Sequence, residues 1–190
     1  NANVTPVNWK NAPSIKEAYK DYFDYFGIAV GYKDALAIED IQDGIIRHAD
    51  AITMGNEMKP DFIFNWRKPS NKEDYTDSAG TTIKVPMGMP QYGNLQAILF
   101  TSQLIGVKIR GHVLVWHSQT PHWFFTENYD SSTNAKYVDK ATMTARQEWY
   151  ISKVIGYIND WEKKYNGGEH IVFAWDVVNE AVSDGASTQK

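Results

Sequence analysis

Apolar side chains recur at offsets of three and four through Ile15, Ala18, Tyr19, Tyr22, Phe23 and Phe26, the spacing of one helical stripe, with Ser14 as a candidate cap. Gly27 ends that helix in this reading. The wholly apolar Ile28-Ala29-Val30-Gly31 then predicts a strand buried on both faces, as in a parallel sheet. A helix around Ile41 to Ala49 and a second short strand near Ala51 to Met54 follow. Lys68 to Thr82 is polar and interrupted by Pro69 and Gly80, which predicts a long surface loop. Leu95, Ile98, Leu99, Ser102 and Ile105 make another helical face, and Val107 to Val115 reads as the third strand. After a loop-like Phe124 to Ala135, the spacing of Ala141, Ala145, Trp149, Ile155, Ile158 and Trp161 predicts a long helix from Tyr137 to about Tyr165. Gly167-Gly168 terminates it, and Ile171 to Val178 forms the fourth strand.

A helix followed by alternating strands and helices favours a parallel α/β fold with the helices outside. Neither an internal repeat nor a low-complexity tract interrupts the pattern. The polar clusters sit at the ends of the predicted strands: Gly55-Asn56-Glu57-Met58-Lys59 after the second, His112 to Gln119 at the end of the third, Asn179-Glu180 closing the fourth. In a βα barrel the carboxyl ends of all strands open on one face, so these clusters would meet at one mouth. Singly each has a plain structural reading. An Asn-Glu pair after a strand also suits a helix cap, His112 suits a hydrogen-bonded core, and Lys59 suits a solvated surface.

Composition narrows the function. The 190 residues are 43% hydrophobic with a net charge of −4, enough for one domain and without the basic face that nucleic acid or an anionic membrane would require. Cysteine is absent, which removes disulfides and thiolate metal sites. His48, His112, His117, His122 and His170 show no metal-ligand spacing, so neither a metal nor another cofactor is expected. No apolar run approaches a membrane span, and Asn1-Ala2-Asn3-Val4 lacks a secretory hydrophobic core. Aromatic residues reach 14%, with seven tryptophans, several beside polar residues. Flat apolar rings with hydrogen-bonding neighbours complement sugars, although core filling uses the same residues.

Three long motifs carry a resemblance: Asn56-Glu57-Met58-Lys59-Pro60, Gly111-His112-Val113-Leu114-Val115-Trp116-His117-Ser118-Gln119-Thr120-Pro121, and Trp175-Asp176-Val177-Val178-Asn179-Glu180-Ala181. Together, and in this order, they resemble glycoside hydrolase family 10 from about Phe26 onward. The resemblance implies a (β/α)8 TIM barrel, of which residues 1–190 supply roughly the first four βα units, and endo-hydrolysis of β-1,4-xylan with retention at the anomeric carbon. It makes Glu180 similar to the general acid/base and Asn179 to the residue that bonds the sugar 2-OH. His112 and Trp116 are similar to the residues that hold and floor the ring being cleaved. Asn56, Lys59 and Gln119 are similar to polar contacts with that sugar and the one before it. His117 is assigned no more than support. The implied partners are xylan and xylo-oligosaccharides, and the implied location is secreted or at the cell surface, since a polymer cannot enter cells.

Two departures from the family set further expectations. Gly55 stands where many members have Glu, so a hydrogen bond to the more distal sugar is missing or supplied elsewhere. No glutamate here lies in the Thr-Glu-hydrophobic-Asp setting of the family's nucleophile; Thr126-Glu127-Asn128 is the nearest. The nucleophile and the carboxy-terminal half of the barrel are therefore expected on another segment or chain, separated in some relatives by an inserted carbohydrate-binding module. The polar tail from Ser183 to Lys190 suits an exposed cleavage point. The alternative is a non-catalytic domain that binds xylan or oligosaccharides. A third reading is a barrel glycosidase acting mainly on cellulose or mixed-linkage glucan.

Overall fold

The computed structural model describes residues 9–33 and 38–182; the predicted cleavage point at residues 183–190 lies outside them. The helices are α1 (Ile15–Tyr19), α2 (Glu39–His48), α3 (Pro60–Ile63), α4 (Gly93–Ile105) and α5 (Lys140–Tyr165). The strands are β1 (Gly27–Val30), β2 (Ala51–Met54), β3 (Lys72–Thr76), β4 (Thr82–Pro86), β5 (Lys108–Val115) and β6 (Val172–Val178).

β1, β2, β5 and β6 form one parallel sheet in that order. Gly27 is in register with Ala51, Ala51 with Lys108, and His112 with Asp176. Parallel neighbours need crossover connections, and here α2, α4 and α5 supply them. Ile45, Ile52, Met54, Leu95, Ile98, Leu99, Ile109, Trp149, Val154, Ile158 and Trp161 are buried together in one core. Residues on the opposite sheet face are more open. Gly27, Ala29 and Arg110 are exposed, and with Tyr25, Ala51, Thr53 and Phe173 they line a concave surface. A parallel sheet is ordinarily covered on both faces, and that concavity is the inner wall of a partial barrel.

Two sequence expectations change. The first apolar stripe is not one helix to Phe26: α1 has five residues, none of them buried. A single turn gains too little from its own hydrogen bonds to propagate without packing. Tyr22 and Phe23 are instead 78% and 61% exposed, and the Phe26 carbonyl already accepts from Asp50 N–H at 2.8 Å. Gly27 accordingly opens β1 rather than ending a helix.

The second change is in the polar segment, which is not a loop: β3 and β4 pair as an antiparallel hairpin. Thr82-Ile83-Lys84-Val85 alternates outward and inward, with Ile83 and Val85 buried. In the turn, Asp77 Oδ1 accepts from the N–H groups of Ala79 and Thr81 at 3.0 and 2.7 Å, and Gly80 takes φ 85°. Glu148 of α5 then binds the hairpin, accepting from Tyr75 Oη at 2.9 Å, Ser78 N at 2.7 Å and Ser78 Oγ at 2.6 Å. These bonds hold its carboxyl below the usual range, those from Ser78 first.

The longer helices α2, α4 and α5 and the parallel strands follow the pattern in the sequence closely. The four-residue α3 and the 3-10 turns His122–Phe125 and Glu127–Tyr129, where a loop was expected, do not. Asp139 caps α5 by accepting from Thr142 N–H at 2.8 Å, and beyond its end Gly167 and Gly168 take φ 62° and 84°, the left-handed conformation that glycine adopts freely.

Candidate active site

The sheet brings the chemistry-bearing residues to one end because each cluster leaves the carboxyl end of a parallel strand. After β2, the Gly55 N–H donates to Val30 O at 2.9 Å, and the chain turns through Asn56 into α3. Pro60 opens that helix, where an N–H would lack a partner anyway. Lys59 precedes it with φ −77° and ψ 155° and makes no side-chain cap, leaving its amine free for other work.

Lys59 is only 7% exposed. Its Nζ donates to Asn56 Oδ1 at 3.0 Å and to Gln119 Oε1 at 2.6 Å, and Gln119 Nε2 donates to the same Asn56 oxygen at 3.1 Å. The ammonium also stands 5.0 Å from the centre of the Trp116 ring, close enough for attraction to the π face. An ammonium carries three donors; among the described residues two are used, which leaves one for a ligand hydroxyl. Gln119 reaches this position with φ 46°, and its carbonyl accepts from Asp61 N–H at 3.0 Å.

From the end of β5, Trp116 Nε1 donates to Glu180 Oε2 at 2.8 Å, while His117 Nε2 lies 3.8 Å from the same oxygen. The pair meets because Asn179 N–H donates to Val115 O at 2.9 Å, the last link between β5 and β6. Glu180 then turns with φ 50°. Its side chain is 58% exposed among the described residues.

Within the sheet, His112 Nδ1 and Asp176 Oδ2 are 2.9 Å apart, and Arg110 donates to the other Asp176 oxygen. Burial pushes the Asp176 carboxyl up, but the His112 and Arg110 hydrogen bonds outweigh it and hold the group below its ordinary value. The carboxylate accepts, so His112 Nδ1 donates and Nε2 is the ring nitrogen not engaged by Asp176. A depressed carboxylate stabilises the fold above its unfolded value and loses that contribution as pH falls through the folded one. Asp176→Asn is thus expected to flatten the decline in thermal midpoint as pH drops below 3.8, measured by melting curves across the acid range.

Asn56, Lys59, Trp116, Gln119 and Glu180 therefore form one connected set. His112 adjoins it, its ring centre 6.3 Å from that of Trp116. Asn179 enters by its backbone bond. Trp175 does not line this mouth: it pairs in register with Gly111 and packs against the core. Asp176, Arg110 and Glu57 were not singled out by motif reading. Asp176 could have been, as a charge inside an apolar strand. Glu57 accepts from Tyr32 N–H at 3.0 Å and Asn56 N–H at 3.2 Å, tying the first strand's loop to the second's. At Gly55 an added Cβ would meet only Val30 O, at 3.6 Å, so the position is open.

Residues 14–190 match the model of Glycosyl hydrolase family 10. Endo-1,4-beta-xylanase A of Butyrivibrio fibrisolvens is 34% identical over 186 residues, covering 89% of this chain and 41% of that one. A putative endo-1,4-beta-xylanase of Caldicellulosiruptor saccharolyticus is 52% identical over 82 residues, or 43% of this chain and 24% of that one. Among solved structures, the carbohydrate-binding and catalytic modules of a Clostridium thermocellum endo-1,4-beta-D-xylanase complexed with xylohexaose superpose with TM-score 0.66 at 28% identity, over 97% of this chain and 31% of that one. The E251A mutant of an intracellular xylanase from Thermoanaerobacterium saccharolyticum, in complex with xylotetraose, gives 0.68 at 26%, over 92% and 45%. The chain thus spans well under half the length of these relatives.

Proposed function

Because this chain belongs to glycosyl hydrolase family 10, we propose that the barrel of which its four parallel strands are part cleaves β-1,4-xylan internally, with retention at the anomeric carbon. The supporting observation is the meeting of Glu180, Trp116, Lys59, Asn56 and Gln119 at the strand ends.

In this reading Glu180 protonates the leaving glycosidic oxygen and later removes a proton from the incoming water. Trp116 Nε1 occupies Oε2 of Glu180, leaving Oε1 to face the substrate. Retention needs a second carboxyl group about 5 to 5.5 Å away as nucleophile. Among the described carboxylates at this end, Asp176 is bound to His112 and Arg110, Glu57 to two backbone N–H groups, and Asp61 is fully buried. We assign the nucleophile to a Glu of the remaining βα units, carried on a further segment, with or without an inserted carbohydrate-binding module.

Trp116 floors the ring being cleaved, and His112, held by Asp176, offers Nε2 to a sugar hydroxyl. Lys59, Asn56 and Gln119 grip that sugar and the one before it, while Asn179 takes the 2-OH. Exchange of Lys59 for Met keeps the buried stem and removes the charged donors. It is expected to lower kcat/KM on xylan about 10- to 100-fold, as for losing a charged hydrogen bond, with little change in the circular dichroism spectrum.

The assignment is tested by incubating the complete protein with linear xylan, counting new reducing ends and following the product anomer by NMR. Binding without hydrolysis would favour the non-catalytic alternative, and an α-anomer as first product would exclude retention. A higher kcat/KM on mixed-linkage glucan would make xylan the minor substrate, since shape decides whether a hexose hydroxymethyl is admitted. A polymeric substrate favours a place outside the cell or on its surface, while the Thermoanaerobacterium relative is an intracellular xylanase; fractionation of the producing cells decides between the two.

A further inference from the structure

Immediately after α3 the backbone does something costly for no evident local benefit. Asn65 and Trp66 are consecutive non-glycine residues in the left-handed region, with φ 50° and 56°. Asparagine tolerates that conformation, whereas a bulky side chain rarely adopts it. The strained turn is well held. Asn65 N–H donates to Phe62 O at 3.0 Å, Trp66 N–H to Asp61 O at 2.9 Å, and Asn65 Nδ2 to Gln91 Oε1 at 3.0 Å. Beneath it Phe64 is fully buried among Trp123, Phe124 and Tyr150.

The side chain so presented is nevertheless 62% exposed. Its one described ring contact is with Phe62, 5.7 Å between centres at 66°. Sustained strain at a surface residue points to a use for that surface rather than to packing. The place is also informative. Asp61, whose carbonyl accepts from Trp66, donates its own N–H to Gln119 O, and Lys59 is two residues earlier. Those two backbone bonds, with only four residues in α3, about 6 Å at 1.5 Å per residue, keep the Trp66 backbone close to the loop that carries Gln119.

We propose that Trp66 is a stacking platform for a distal xylose ring of a long bound xylan chain. The indole offers a flat apolar face to the ring, and the exposed Asn65 and Arg67 beside it offer donors to its hydroxyls. The proposal rests on the xylanase reading above and adds a subsite to it.

The test uses the complete protein, wild type and Trp66→Gly, with two substrates. An aryl β-xylobioside is too short to reach Trp66, while xylohexaose is long enough. Glycine removes the ring and suits the left-handed backbone. KM for xylohexaose is expected to rise about three- to tenfold, the scale of one lost aromatic contact, with kcat and all constants for the xylobioside unchanged and the melting temperature equal or higher. Trp66→Tyr should recover most of the affinity for xylohexaose. Equal effects on both substrates, or none on either, overturn the platform. A fall in melting temperature without a change in KM also overturns it, because another part of the protein then covers the indole. Absence of wild-type hydrolysis of either substrate would instead defeat the underlying xylanase reading.

Discussion

Glu180→Gln is expected to lower xylan turnover by the complete barrel about 100- to 10,000-fold, the usual contribution of a positioned acid/base, while the unfolding midpoint stays where it was. The amide cannot donate and recover a proton in the cycle, yet its oxygen can still accept from Trp116 Nε1, now 2.8 Å from the carboxylate. A side chain 58% exposed has little packing to lose. The rate on an aryl xyloside should fall less than the rate on xylan, because an acidic phenol departs with little help from a proton. Near-normal xylan turnover, or equal losses on both substrates, would remove Glu180 from its role.

Gly111→Ala should be the most damaging small change to stability. An added Cβ would lie 2.4 Å from Cδ2 and Cε3 of Trp175 and 2.6 Å from Cε2, well inside van der Waals contact. The indole is packed against the core on one side and lies over β5 on the other, so it must move or β6 must. Overpacking of this kind costs about 1–3 kcal/mol, and a ring meeting backbone-fixed Cβ belongs at the upper end. Denaturant unfolding of the complete protein measures the loss. Displacement of β6 would also carry Asp176 and Glu180 away from His112 and Trp116, so activity should fall with stability. Trp175→Leu in the same chain should recover part of the loss, a non-additivity expected only of residues in contact. If Gly111→Ala leaves the unfolding midpoint unchanged, the close approach is not a constraint.

The arrangement of the parallel strands was legible in the sequence because each is a short apolar run between helices with clear periodicity. Ala51–Met54 falls where the pattern put it, and the third and fourth strands differ from expectation by one residue at the start. That Glu180, Lys59, Trp116, Asn56 and Gln119 meet at one end of the sheet was legible too, since strand ends in a βα fold share a face.

Other features depended on partners remote in the chain. Lys72–Thr76 is polar and mostly exposed; its pairing follows from Ile83 and Val85 and from Glu148, some seventy residues away. The Tyr19 to Phe26 stripe had helical spacing, but spacing does not say what a face will pack against, and the sheet claimed Phe26 first. Asp176 gained its meaning only when β5 laid His112 and Arg110 beside it, and Trp175 packs against the core because neighbours in a strand point to opposite faces. Local pattern determined which segments became strands and helices, whereas register between them, a property of no single segment, decided which side chains meet.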